Sequence, residues 1–173
     1  MDEPQYGPWG MVTPTFWHGA AASDDPSTPA DADSVRTRLA AIPALVAAER
    51  PGDASALAEE IDRELTSAGR EHTMDIVDVR EVRGYLAHLL GDHSTAVGWY
   101  LHAVRLRAGL QGPTHPDTVQ AARRAYSLWR TVPSPDARRL GPELLAAVTD
   151  IHGPEATVTR RTRERLAALV ENA

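Results

Sequence analysis

Apolar side chains recur at intervals of three and four residues along most of the chain after residue 32. Leu57, Ile61 and Leu65 form one such series, and charged residues fill many of the positions between them. This spacing places the apolar side chains on one face of a helix rather than on a strand. The pattern therefore predicts an all-α domain of amphipathic helices over residues 33–173.

Glycine and proline residues divide this pattern into seven predicted segments. Pro43 should kink the first segment, because proline removes a backbone hydrogen bond and clashes with the preceding turn. Gly141-Pro142 should bend or split the sixth segment for the same reason. Asp62, in the second segment, is expected mainly on the solvent side with its acidic neighbours. The predicted helices cover residues 33–50, 54–68, 75–90, 94–110, 116–131, 136–151 and 156–171.

A loop followed by a helix start recurs along the chain. Gly153-Pro154 repeats Gly112-Pro113 41 residues later, and Ala137 follows Ala96 at the same distance. Pro116 suits the first position of a helix, because its missing N–H would have no partner there. A helical hairpin cannot bury its apolar face alone, so the recurrence predicts similar hairpins that stack and share a core.

The run from Glu71 to Trp129 resembles long tetratricopeptide repeats, of the kind found in kinesin light chains and in the repeat tails of actinobacterial serine/threonine kinases. Gly112 to Thr118 matches the G-x-x-HPDT linker of such repeats. The resemblance implies a right-handed α-solenoid of about three helix pairs plus a capping helix. The matching positions within one repeat are Gly84, Gly91-Asp92, Ala96, Tyr100 and Ala103. Gly84 and Ala96 are expected where the two helices of one hairpin approach closely.

Residues 1–32 differ from the rest of the chain. Their prolines and glycines exclude a long helix or a central strand, yet they contain Tyr6, Trp9, Phe16 and Trp17. Disordered segments are usually poor in aromatic residues. We therefore expect an extended tail whose rings either cover an apolar end of the solenoid or dock into another protein. A peptide that an enzyme modifies is a third interpretation.

Composition narrows the classes of function. The net charge is −6, all 18 basic residues are arginine, and there is no cysteine, which excludes disulfides and thiolate metal sites. Six acidic residues precede Arg36, so the helical body is formally neutral. Nonspecific nucleic-acid binding needs a net basic face. Without an apolar run of membrane length or a signal peptide, we expect a cytoplasmic protein with neither nucleic-acid nor membrane partners.

Residue types with catalytic chemistry are present without the spacing that catalysis requires. The seven histidines form no HExxH pair, and no serine lies in a G-x-S-x-G elbow. The Gly-rich loop and the lysine of a kinase are absent, since the chain has no lysine. We expect no catalytic, cofactor or metal site. His72 and His115, at equivalent linker positions, are expected to cap or pack.

The resemblance implies that the first helix of each pair lines a concave binding face. An aromatic and arginine surface there has the composition of a binding hot spot. Arg83, Arg124 and Arg165 recur every 41 residues where the family has leucine, which predicts either an internal carboxylate ladder or a site for an acidic segment. The predicted partner-binding residues are Arg83, Tyr85, His88, Arg124, Tyr126, Trp129 and Arg130 on the helices, and Trp9, Phe16 and Trp17 on the tail.

Two interpretations of function remain open at this stage. The first is a non-enzymatic adaptor that holds a protein or peptide partner in the repeat groove, with the tail as a second contact. The alternative is a regulatory sensor whose groove binds a short signalling peptide. Trp129 also has a structural interpretation, as core between repeats. The sequence predicts neither the identity of the partner nor the oligomeric state.

Overall fold

The computed structural model describes residues 6–7, 10–11 and 29–171, with side-chain environments for residues 34–171. The described part of the chain is helical apart from four tail residues and the connecting loops. Its helices are α1 (Pro29–Ala40), α2 (Ile42–Ala47), α3 (Pro51–Ser67), α4 (Met74–Leu89), α5 (His93–Gln111), α6 (Pro116–Trp129), α7 (Ser134–His152) and α8 (Thr157–Glu171).

The tail contains a short antiparallel ladder. Strand β1 (Tyr6–Gly7) pairs with strand β2 (Gly10–Met11), with Tyr6 opposite Met11. This ladder lies outside the predicted all-α domain, whose described residues are helical apart from the connecting loops. Only two residues separate the strands, which is the shortest connection common in antiparallel pairs. The predicted contacts of Trp9, Phe16 and Trp17 lie outside the described residues.

Local capping explains where the central helices begin. Pro116 lies in the first turn of α6, and Nδ1 of His115 accepts a hydrogen bond from the backbone N–H of Asp117 at 3.2 Å. The predicted capping role of His115 is thus confirmed. Asp92 caps α5 by accepting from the backbone N–H of Thr95 at 3.0 Å, which satisfies a donor that has no partner inside the helix.

Proline residues act differently at three positions. The chain is interrupted at Ala41, so two helices, α1 and α2, stand where the sequence predicts one helix kinked at Pro43. Pro51 begins α3 instead of ending the preceding helix, because its missing N–H has no cost in a first turn. Pro142 lies inside α7, which runs unbroken from Ser134 to His152, so of the two expected effects the split is wrong. Buried Leu140 and Leu144 lie on either side of it in one apolar cluster, and this packing holds the helix together.

The helix boundaries repeat with the period of the sequence. The helices α4, α6 and α8 begin at Met74, Pro116 and Thr157, and α5 and α7 end one residue before Gly112 and Gly153. These two glycines have φ values of 95° and 87°, a conformation that glycine adopts without steric cost. The hairpins α4–α5 and α6–α7 are therefore equivalent in register, and α8 corresponds to the first helix of a further pair.

The buried side chains form two apolar clusters. One joins α1, α2, α3 and α4, and the other joins α5, α6 and α7, with Val158 and Leu169 of α8 packed against it. The α4–α5 hairpin links them through a close approach at Gly84, where an added Cβ would lie 3.2 Å from the ring of Tyr100. This contact is the one that the small residue predicted. Ala96, the other predicted contact position, is fully buried in the second cluster.

Candidate functional site

One side of α6 combines arginine with partly exposed apolar surface. Val119, Arg123, Tyr126 and Arg130 are spaced by four, three and four residues, so they share one face of the helix. We call these four residues the α6 stripe. Both arginines are exposed, and Val119 and Tyr126 are half-buried. The guanidinium carbon of Arg130 lies 5.9 Å from the ring centroid of Tyr126, within the range of a cation–π contact.

Trp129 lies behind the α6 stripe and not on it. Its side chain is fully buried, and its Nε1 donates a hydrogen bond to the backbone oxygen of Ala137 at 2.8 Å. The ring approaches α7 closely at Gly141, where a Cβ would lie 3.2 Å from Cζ2. The prediction that Trp129 contacts a partner is therefore corrected: its structural interpretation, as core between repeats, is right.

Arg165 of α8 braces the end of the α6 stripe. Its guanidinium carbon lies 5.2 Å from the ring centroid of Trp129, and Nη2 donates to the backbone oxygen of Arg130 at 3.1 Å. The backbone that carries Arg130 is thus fixed by a side chain from another helix. A binding side chain on a fixed backbone loses less entropy when a partner binds.

Tyr85 and His88 of α4, which the sequence also predicts to contact a partner, do not form a similar exposed surface. Tyr85 is 7% exposed and belongs to the first apolar cluster, so its predicted role as a surface contact is wrong. His88 is half-buried beside His93, with 2.9 Å between their Nδ1 atoms. Burial and the neighbouring His93 lower the pKa of His88 to about 4. His88 is therefore neutral near pH 7 and does not extend the cationic surface.

Arg83 lies in an ion cluster that joins α3, α4 and α5. It donates to Oδ2 of Asp62, and its guanidinium carbon lies 3.9 Å from the ring centroid of Trp99. Arg80 Nη2 donates to the other carboxylate oxygen of Asp62 at 3.3 Å. The contacts of Arg83 with Asp62 and Trp99 are within the chain, so its guanidinium is already paired inside the fold.

Asp62 is a residue whose role the sequence analysis missed, because we expected it on the solvent side. It is 4% exposed, and it follows Ala58 by four residues and precedes Leu65 by three. That spacing is a core position of α3. An acidic residue at a core position was the available signal that a buried arginine partner exists.

The arginine column does not use one kind of partner. Arg83 binds a carboxylate, whereas Arg165 binds a backbone oxygen and a ring. Arg124 lies near Tyr100. Burial, and then the charge of Glu81, raise the pKa of Tyr100, whereas the charge of Arg124 lowers it. A continuous carboxylate ladder along the three arginines is therefore wrong as a description.

The arginines differ in pairing along the chain. In the first group each arginine has a carboxylate within ion-pair distance, and the members are Arg38, Arg50, Arg63, Arg70, Arg80, Arg83, Arg105, Arg107 and Arg139. A second group, on α6 and α8, has no ion pair within residues 34–171, and its members are Arg123, Arg130, Arg160, Arg161 and Arg163. Both arginines of the α6 stripe, Arg123 and Arg130, thus belong to the second group.

The described residues offer no arrangement for metal or membrane chemistry. No group of three or more histidine or carboxylate side chains in this part of the chain is placed to hold a metal ion. None of the helices between residues 29 and 171 combines the length and the apolar character needed to cross a membrane.

Known proteins supply no family for this chain. No protein-family model matches it, and no curated protein is significantly similar to it. The resemblance to long tetratricopeptide repeats therefore stays a prediction.

Proposed function

We propose that the protein is a non-enzymatic cytoplasmic adaptor that binds a protein or peptide partner on the α6 stripe. The observation that carries this proposal is the pair of exposed arginines, Arg123 and Arg130, on either side of the half-buried ring of Tyr126. Tyrosine and arginine are enriched among the residues that dominate binding energy at interfaces.

The support behind the stripe favours binding over a purely structural role. Trp129 is anchored to Ala137 and stacked by Arg165, so the exposed residues stand on a rigid base. A rigid base reduces the entropy that is lost when a partner orders the surface. Surface side chains without function are under no such constraint.

The repeated hairpins supply a scaffold for this surface. The helices α4, α6 and α8 begin at intervals of one repeat, and in a right-handed tetratricopeptide-like solenoid such first helices line one face. We include that arrangement in the proposal. Stacked repeats commonly present extended binding surfaces of this kind.

Affinity capture from the native host tests the proposal. The immobilised wild-type chain is compared with a Tyr126→Ala/Arg130→Ala variant, and the retained material is identified by mass spectrometry. The control variant is Arg160→Ala/Arg163→Ala, which removes two exposed arginines of α8 instead. Thermal melts of all three proteins establish that they are equally folded.

A stoichiometric protein that the wild type and the control retain, and that the α6 variant loses, supports the adaptor. Retention of a short peptide with the same dependence would favour the sensor interpretation. Equal retention by all three proteins, or no specific retention by any, contradicts binding on the α6 stripe.

A further inference from the structure

The chain itself shows how one of its helices covers Val82 and Tyr85, two of the four α4 positions that are equivalent to the α6 stripe. On α4, Val82 and Tyr85 share an apolar cluster with Val35 and Leu39 of α1. Both α4 side chains are less than 9% exposed. The helix α1 packs against α4 and α3. An amphipathic helix laid over this face of a repeat is therefore an arrangement that the fold already uses.

The same face of α6 has no such cover among the described residues. Positions 78, 82, 85 and 89 of α4 correspond, one repeat later, to Val119, Arg123, Tyr126 and Arg130. Within the described chain α6 packs mainly against α5 and α7. The tyrosine of the pair is buried on α4 and half-buried on α6.

The charge at this face is reversed between the two repeats. On α4 the acidic Asp78 interacts with the charge of Arg36 on α1. On α6 the charged positions are arginines, which replace Val82 and Leu89 of the earlier repeat. Neither Arg123 nor Arg130 has a carboxylate partner within residues 34–171, although the arginines from Arg38 to Arg107 described above are all paired.

We infer that the α6 stripe is the docking site for an acidic amphipathic helix of a partner protein, bound as α1 binds α4. This inference rests on the proposed function and adds the chemistry of the partner. The bound helix carries carboxylates two turns apart, opposite Arg123 and Arg130, and apolar side chains between them that cover Tyr126 and Val119. The arginine fork is suited to such carboxylates, because it can bind both oxygens at once.

The pattern on α6 favours a protein helix over a nucleic acid. Arginine alternates with apolar surface along a single helical face, and a phosphate backbone has no counterpart for Val119 or the ring of Tyr126. Nucleic-acid affinity also grows with the number of neutralised phosphates, and the stripe offers only two exposed arginines. Glu164 and Glu171 on α8 are also exposed, and their negative charge disfavours a phosphate backbone.

A display selection identifies the preferred ligand directly. The probe is a library of 20-residue peptides with strong helical propensity and randomised positions on one face, selected on the immobilised full-length chain. We expect enriched peptides to carry glutamate or aspartate at two positions seven apart, with leucine, isoleucine or phenylalanine between them. Enrichment of basic or uncharged peptides overturns the inference.

A charge reversal tests the site. The Arg123→Glu/Arg130→Glu variant should bind the selected acidic peptide at least about tenfold more weakly, since close charge pairs contribute this much at interfaces. Arg160→Glu/Arg163→Glu makes the same change in net charge on α8 and should leave the affinity within about twofold. A peptide with lysines in place of its acids should regain affinity for the α6 variant.

Each remaining outcome counts against the inference. Equal weakening by both variants means that binding follows net charge alone. A 20-nucleotide single strand that binds while the acidic peptide does not assigns the surface to nucleic acid. A wild-type dimer that the α6 variant dissociates assigns it to a second copy of the chain.

The adaptor proposal and this inference can fail separately. A native partner that the Tyr126→Ala/Arg130→Ala variant loses, but that the Arg123→Glu/Arg130→Glu variant still captures, supports the adaptor on the α6 stripe and overturns the acidic helix. Acidic peptides that bind as described, with no native protein captured, support the chemistry of the stripe and contradict the adaptor.

Discussion

Glu81 and Arg107 form a buried ion pair inside the α4–α5 hairpin. Nε of Arg107 donates to Oε1 of Glu81 at 2.7 Å, and Nη2 donates to Oε2 at 3.0 Å. The two side chains are 5% and 10% exposed. The pair joins α4, which belongs to the first apolar cluster, to α5, which belongs to the second. It therefore fixes the register between the two clusters.

Replacing Glu81 with leucine should destabilise the protein strongly. Arg107 would remain buried without its main partner, and breaking a buried pair in this way typically costs about 3–5 kcal/mol. The double variant Glu81→Leu/Arg107→Met leaves no buried charge of the pair and should recover most of this loss. Urea unfolding at pH 7 measures both free energies. A double variant less stable than Glu81→Leu would contradict the argument.

The exposed pair Arg63–Glu59 provides the control for this experiment. Its side chains are 66% and 57% exposed, and solvent-exposed ion pairs contribute at most about 1 kcal/mol. Arg63→Ala should therefore change the free energy of unfolding far less than Glu81→Leu does. The comparison separates burial from the simple presence of an ion pair.

Asp78 should make the protein less stable as the pH rises. Burial, and then the charge of Glu81, raise the pKa of Asp78 from 3.8 to about 7. Arg107 lies 3.4 Å away but is already bound to Glu81. Since the folded pKa is above the unfolded value, the folded chain binds more protons between about pH 4 and pH 7. Stability from this group is present at low pH and is lost across that window.

The variant Asp78→Asn isolates this effect. Relative to the wild type, it should gain stability as the pH rises from 4 to 8, because asparagine does not ionise. The side chain is 34% exposed, so solvent screening makes the gain smaller than the full shift implies. Urea unfolding of both proteins at four pH values measures it. A constant difference between the two curves would show that Asp78 ionises normally.

Two interior glycines should respond in opposite directions to larger residues. A Cβ added at Gly84 would lie 3.2 Å from the ring of Tyr100. A Cβ added at Gly98 of α5 would have no atom within 4 Å. Gly84→Leu should cost about 1–3 kcal/mol, because it overpacks a tight contact. Gly98→Ala should stabilise by roughly 0.5–1 kcal/mol through helix propensity. Thermal unfolding of the wild type and both variants compares them. An unchanged stability of Gly84→Leu would contradict the close contact with Tyr100, and destabilisation by Gly98→Ala would contradict the open space at Gly98.

The hairpin boundaries could be predicted from the sequence, because glycine and proline act locally. Gly112 ends α5 and Pro116 begins α6, and neither effect depends on another part of the chain. The role of Asp62 could not be predicted in this way. Its partners Arg80 and Arg83 lie 18 and 21 residues away, and only the packing of α4 on α3 brings them together.

The candidate site shows the same limit. Tyr85 and Tyr126 occupy one repeat position and have the same local pattern, so the sequence predicts one role for both. The structure separates them, because the cluster of α1 with α4 buries Tyr85 and no described helix does this for Tyr126. Whether the tyrosine face of a repeat is covered depends on α1, and the sequence of α1 lies outside the repeat.

The role of the tail remains a prediction that truncation can decide. Each large apolar side chain contributes roughly 1.5–3 kcal/mol when fully buried, whereas ordering the backbone costs about 1–2 kcal/mol per residue. Trp9, Phe16 and Trp17 can therefore offset the ordering of only a short segment within one chain. A partner surface already folded for them makes the balance more favourable, so we expect the tail to act mainly in partner binding.

Deletion of residues 1–20 should leave the melting temperature unchanged and weaken capture of the native partner. The triple variant Trp9→Ala/Phe16→Ala/Trp17→Ala serves as the matched control, because it keeps the length of the tail and removes only its large rings. The two proteins should behave alike if the rings make the contact. A lowered melt with normal capture would show instead that the tail covers part of its own helical domain. If neither quantity changes in either protein, the tail is a linker, and the proposed contact of its aromatic residues with a partner is wrong.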